Sequence, residues 1–88
     1  MLTLLDFYAD WCGPCKMTTP IFAEVEKDYE DKVEFKQVDV ETNPAEAGKY
    51  GVMGIPTFVL LKDGEEISRK VGAMPKEILT AWLDSNIK

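Results

Sequence analysis

The chain has 88 residues, 45% of them hydrophobic and 30% charged, and it carries a net charge of −6. That length suits one domain, residues 1–88, and the acidic balance argues against broad binding to nucleic acid or an anionic membrane, which need a positive face. Two cysteines and no histidine fall short of a secreted disulfide framework and of the roughly four ligands a zinc site takes.

Met1 to Leu5 is apolar, but Asp6 interrupts it and no basic residue precedes it, so no targeting segment is expected. No stretch approaches the length of a membrane span. The expected compartment is the cytoplasm, where thiols stay reduced and a cysteine pair is more often catalytic than structural.

In chain order, Leu2 to Ala9 is a short apolar run with Phe7 and Tyr8 and predicts a buried strand. Beyond Cys15 the period changes. Met17, Ile21 and Val25 recur every fourth residue, flanked by Phe22 and Tyr29, which predicts an amphipathic helix with Pro20 inside it as a kink. Val33 to Val40 predicts a second strand. Glu41 to Gly51 reads as a turn and a short helix ending at Gly51. Ile55 to Gly72 reads as two strands joined at Asp63-Gly64, a strong hairpin signal. Met74 to Lys88 predicts a last helix with Pro75 in its first turn and Ile78, Leu79, Trp82 and Leu83 on its apolar face. The order is β-α-β-α-β-β-α, with the first two strands in a right-handed parallel unit and the hairpin adding an antiparallel pair.

Cys12 and Cys15 fall where the first strand gives way to the first helix. Pro14 suits the first helical turn, since the N–H it lacks would be unsatisfied there. Cys12 is then expected at or near the N-cap, with Cys15 one turn later on the same face. Free N–H groups and the positive end of the helix dipole favour thiolate at the first sulfur, so Cys12 is expected to be the more exposed and more acidic thiol. An inert disulfide here would close too short a loop to constrain the unfolded chain much. The placement instead reads as a catalytic dithiol, one sulfur attacking and the other resolving, with no histidine required.

These residues resemble the thioredoxin family. The resemblance is carried by Trp11-Cys12-Gly13-Pro14-Cys15-Lys16, with Asp6-Phe7 five residues before it, by Gly54-Ile55-Pro56-Thr57, by Lys62-Asp63-Gly64-Glu65 and by Val71-Gly72-Ala73. It covers nearly the whole chain. It implies an α/β fold of thioredoxin-like type, a four-stranded mixed sheet in the order 2-1-3-4 with helices on both faces. It implies a protein-disulfide reductase in which Cys12 forms a mixed disulfide with a target and Cys15 releases it. No bound cofactor or metal is implied; electrons would come from a thioredoxin reductase, with glutathione as the less favoured source. The partners would be disulfide-bearing proteins and the reductase, and the chain would act as a monomer. A glutaredoxin-like enzyme is disfavoured by Gly13-Pro14 between the cysteines, and a redox-independent binding subunit is the alternative from another class.

The resemblance also bears on single residues. Asp6 lies in an apolar strand, where an unpaired charge would be costly, so by its surroundings it is either hydrogen-bonded or functional. The resemblance favours a base that deprotonates Cys15. An X–Pro bond is ordinarily trans; the resemblance implies that Pro56 is cis and faces the cysteines, with the Ile55 backbone free to pair with a substrate strand. Trp11 would be a partly exposed lid. Trp11, Gly13, Pro14, Ile55, Pro56, Gly72 and Ala73 would form the substrate surface, with Met53 and Met74 beside it.

Two departures from the family pattern stand out. Ordinary thioredoxins carry a strand and a helix ahead of the point where Met1 stands, which predicts that the Val33–Val40 strand is an edge guarded by Glu34 and Lys36. Gln37 also occupies a position where relatives often place a lysine near the buried aspartate, which leaves Asp6 without an evident charge partner.

Overall fold

The computed structural model describes residues 1–87. Its elements are β1 (Leu2–Tyr8), α1 (Gly13–Tyr29), β2 (Val33–Asp39), α2 (Pro44–Lys49), β3 (Thr57–Lys62), β4 (Glu65–Val71) and α3 (Lys76–Ile87). The four strands form one sheet in the order β2-β1-β3-β4, as the resemblance implied. β1 runs parallel to β2, with Leu4 opposite Phe35 and Asp6 opposite Gln37, and antiparallel to β3, with Asp6 opposite Phe58.

The β3–β4 hairpin turns at Asp63 and Gly64, both with positive φ (51° and 88°), the geometry that suits a two-residue turn between right-twisted strands. The register slips between Leu60 and Leu61, leaving Ile67 as an unpaired extra residue that is largely exposed. α2 begins at Pro44, and positive φ at Gly51 ends the segment, with Val52 N–H bonded back to the Ala47 carbonyl.

Alternation along β1 sends Leu4 and Asp6 to one face of the sheet and Leu5 and Phe7 to the other. On the first face Leu4, Val33, Phe58 and Leu60 pack against Phe22 and Val25 of α1 and Leu79, Trp82 and Leu83 of α3. Phe22 sits edge-on to Phe35 and stacks on Phe58. The Trp82 indole N–H reaches Ser68 Oγ at 2.8 Å, so this large core ring has its one polar group satisfied. On the second face Leu5, Phe7, Val59 and Leu61 meet the half-buried Ala47, Tyr50 and Val52 around α2. Two carboxylates, Glu24 and Asp28, lie 3.8 and 3.2 Å from Lys76 Nζ and join α1 to α3 at the surface.

Two expected apolar positions are corrected. Met17 is 70% exposed, because the buried stripe of α1 is Cys15, Thr18, Phe22 and Val25, rotated from the every-fourth-residue series. Ile78 is 48% exposed, since Leu79, Trp82 and Leu83 already fill the α3 contact with the sheet. Helix α1 continues through Pro20 to Tyr29. Among the described residues no helix is long and apolar enough to cross a membrane.

Candidate active site

β1 ends at Tyr8, and the chain turns through Ala9, Asp10 and Trp11 into α1. Cys12 is the N-cap of that helix, in extended backbone conformation, and its sulfur accepts the Cys15 N–H at 3.1 Å. Gly13 and Pro14 fill the first helical positions, both exposed. The Cys12 and Cys15 Cα atoms are 5.2 Å apart and their sulfurs are joined as a disulfide. Thr18 Oγ1 and Thr19 Oγ1 each donate to the Cys15 carbonyl at 3.0 Å.

The two sulfur-bearing residues were expected to differ in exposure. In the disulfide form they do not, with Cys12 at 4% and Cys15 at 2%. The covering is local: both pack with Ala9 against Tyr8, Val40 and Ile55, and Cys12 Sγ lies 3.9 Å from the Ile55 carbonyl oxygen. What separates them is the helix end, since Cys12 alone holds the cap position.

The Ile55–Pro56 peptide is cis, as the resemblance implied. Pro56 itself is buried, and its carbonyl accepts the Gly72 N–H at 2.8 Å, tying the loop before β3 to the end of β4. Gly72 has a φ of 101°, a conformation that L side chains rarely adopt. The Thr57 hydroxyl donates to the Gly54 carbonyl and closes the same loop.

The proposed substrate surface is exposed in part and divided in two. Trp11 is 68% exposed and Met53 fully so, and they share a cleft of about 220 Å³ with Val52, Gly54 and Ile55. Ala73, Met74 and Pro75 line a second cleft of about 370 Å³, whose other wall is Met17, Thr18 and Ile21 of α1. Met17 thus joins an apolar cleft where a core position was expected. Its signal in the sequence was present but ambiguous, because an apolar residue near a helix start suits either role.

Asp6 is 1% exposed and lies on the α1 side of the sheet. Gln37, directly across in β2, donates its side-chain amide to Asp6 Oδ2 at 3.3 Å; Oδ1 is buried with no hydrogen-bond partner. Burial raises the Asp6 carboxyl from 3.8 to about 6, and the Gln37 hydrogen bond opposes that only in part. Gln37 is a site residue whose bond to Asp6 the sequence did not reveal. Lys36 pairs with Leu5 in the register and so faces away from Asp6. Among the described residues no group of three or more His, Cys, Asp or Glu side chains is placed to hold a metal ion.

A sequence model of the family described as thioredoxin matches residues 1–85. The thioredoxins of Staphylococcus aureus strains Mu50, MW2 and N315 are each 48% identical to the chain over 84 residues, which is 96% of this chain and 81% of each relative. The chain therefore belongs to the thioredoxin family and is a thiol–disulfide oxidoreductase of the protein-disulfide reductase type.

Proposed function

We propose that the chain reduces disulfides in target proteins through the Cys12–Cys15 couple of its Cys-Gly-Pro-Cys motif and is itself reduced by a thioredoxin reductase. The observation that carries this is the Cys12 sulfur capping α1, where the Cys15 N–H and the helix dipole favour its thiolate. In the reduced protein the Cys12 thiolate attacks one sulfur of the target disulfide. That bond breaks, the other target sulfur leaves as a thiolate and takes a proton, and Cys12 is joined to the target. Cys15 then gives its proton to Asp6 and attacks Cys12 Sγ. The Cys12–target bond breaks, the Cys12–Cys15 bond forms, and the second target sulfur leaves and is protonated. The target gains two electrons and two protons, and the reductase returns the same number to the chain.

Trp11, Gly13, Pro14, Ile55, Pro56, Gly72 and Ala73 receive the target. The exposed Trp11 and Met53 beside the disulfide suit an extended apolar segment. This reading calls for no bound cofactor. A reductase of this kind works as a monomer in the cytoplasm, where thiols are kept reduced.

Trapping tests the division of labour. Cys15→Ser should accumulate a covalent adduct with a disulfide-bearing target, since attack proceeds and resolution cannot, while Cys12→Ser should trap far less. Wild-type turnover should be supported by NADPH with a thioredoxin reductase and not by glutathione. Equal trapping by both variants, or full biological activity of Cys12→Ser, would reject the mechanism in favour of a binding subunit.

A further inference from the structure

We propose that Met17 and Met53 form a peroxide-sensitive modification site, whose conversion to sulfoxide weakens the capture of protein targets and leaves the dithiol chemistry intact. The proposal rests on the reading above that the surface around the disulfide receives the target.

The chain has four methionines, and three of them stand in the two clefts beside the disulfide. Met53 shares the cleft of about 220 Å³ with Trp11 and Ile55, and the Ile55 carbonyl oxygen is 3.9 Å from Cys12 Sγ. Met17 and Met74 share the cleft of about 370 Å³ with Thr18, whose hydroxyl bonds the Cys15 carbonyl. Oxidation needs an open sulfur, and here the three differ. Met53 is fully exposed and Met17 largely so, whereas Met74 is half-buried and packs against the core under α1 and α3. Met1 is largely exposed too, but its amino group bonds Asp63 at the hairpin turn. The seven-residue strand β1 puts it about 20 Å from the cysteine loop, so the chain carries its own distant control.

In the disulfide form both cysteines are bonded and buried. The thioether sulfurs of Met17 and Met53 are then the sulfur nucleophiles that solvent reaches beside the site. Hydrogen peroxide transfers one oxygen to such a sulfur. The O–O bond breaks, an S–O bond forms, the sulfur gives up two electrons and water leaves. A flexible apolar side chain becomes a polar and chiral one. Neither residue belongs to a core cluster, so the change falls on contact with a target and not on packing. Leucine at either place would offer a target similar apolar area and resist peroxide. Methionine adds adaptability to targets of different shape and opens their docking surface to control by oxidant. The change is reversible: a methionine sulfoxide reductase adds two electrons and two protons, drawn from a dithiol, and releases the oxygen as water.

To test this, wild type and the double variant Met17→Leu, Met53→Leu are treated with hydrogen peroxide in the disulfide form, freed of it, reduced with dithiothreitol and desalted. Peptide mass mapping locates the sulfoxides. Second-order rates are then measured with insulin, a protein disulfide, and with hydroxyethyl disulfide, which is too small to need a docking surface. Each protein is referred to its own untreated rates. In wild type, sulfoxide should form at Met53 and Met17 ahead of Met74. Its insulin rate should fall about tenfold while its small-disulfide rate stays within about twofold. Methionine sulfoxide reductases for the two epimers should restore the insulin rate. The double variant should keep its insulin rate within about twofold, although Met1 is oxidised as in wild type. The proposal is overturned by an unchanged insulin rate in protein oxidised at both sites, or by oxidation of Met74 ahead of them. An equal loss in the double variant would also overturn it, as would a parallel fall in the small-disulfide rate, which places the damage in the cysteine pair. Untreated wild type that reduces hydroxyethyl disulfide but not insulin would instead overturn the reading of the surface on which the proposal rests.

Discussion

The face of the sheet beneath α1 and α3 and the face beneath α2 are covered very differently. On the first, helices of 17 and 12 residues seal Leu4, Phe58 and Leu60 completely. On the second, one helix of 6 residues leaves Tyr50 and Val52 half-buried, and an open cleft of about 400 Å³ runs between Leu5, Lys36, Glu46 and Leu61. Asp6 projects from the dry face. Beside the cleft at the margin of the second face a carboxyl group would meet more water than Asp6 does, although Phe7 and Val59 further in are fully buried. The same cover that stabilises the fold therefore gives Asp6 its chemistry.

Adjacent leucines in β3 compare the faces directly, because Leu60 faces α1 and α3 and Leu61 faces α2. Leu60→Ala is expected to cost about 4 kcal/mol and Leu61→Ala about 2 kcal/mol, the upper and lower parts of the range for leucine truncation in cores. Denaturant midpoints of the two variants measure the difference. Equal losses would mean that α2 covers its face as effectively as the two longer helices cover theirs.

Asp6→Asn sharpens the comparison through pH. The carboxyl group loses its proton near 3.8 in the unfolded chain and near 6 in the fold, so between those values the folded protein holds more protons. Stability contributed by the protonated group is full below 3.8, falls as pH rises, and is lost above about 6. At 1.36 kcal/mol per unit the total is about 3 kcal/mol. The asparagine variant should therefore be more stable than wild type by up to about 3 kcal/mol near pH 8 and closely matched near pH 3, read from denaturant titrations at both. A variant that is less stable at the higher pH would mean that the carboxylate is well satisfied in the fold.

The smallest effect is expected at Ile78, half-exposed on α3 beside the filled contact. Ile78→Ser should change stability by no more than about 0.5 kcal/mol in the same titration. A loss near that of Leu61→Ala would show that the dry face extends one residue further around the helix.

Much of the architecture was legible because the signals were local. The change of period after Cys15 and the Asp63-Gly64 turn each act within a few residues, and strand, helix and hairpin followed from them. The buried stripe of α1 was misread because hydrophobicity ranks Met17 above Thr18. Packing instead favoured Thr18, a small side chain that bonds its own helix backbone and fits under the sheet. The link between Gln37 and Asp6 depends on the register of two strands 31 residues apart, and nothing local reports it. The cis bond at Pro56 was available only through the family resemblance, since an isolated X–Pro bond favours trans.

The N-cap of α1 is made by the same atom that carries the redox chemistry. Caps commonly change helix stability by about 1 kcal/mol, and a charged acceptor at a helix start gains further from the aligned peptide dipoles. A thiolate at Cys12 is a charge-assisted acceptor for the Cys15 N–H, whereas a disulfide sulfur is a neutral and weaker one. The polar cap on α1 is therefore stronger in the reduced protein, while in the oxidised one the Cys12–Cys15 bond itself ties the first turn together.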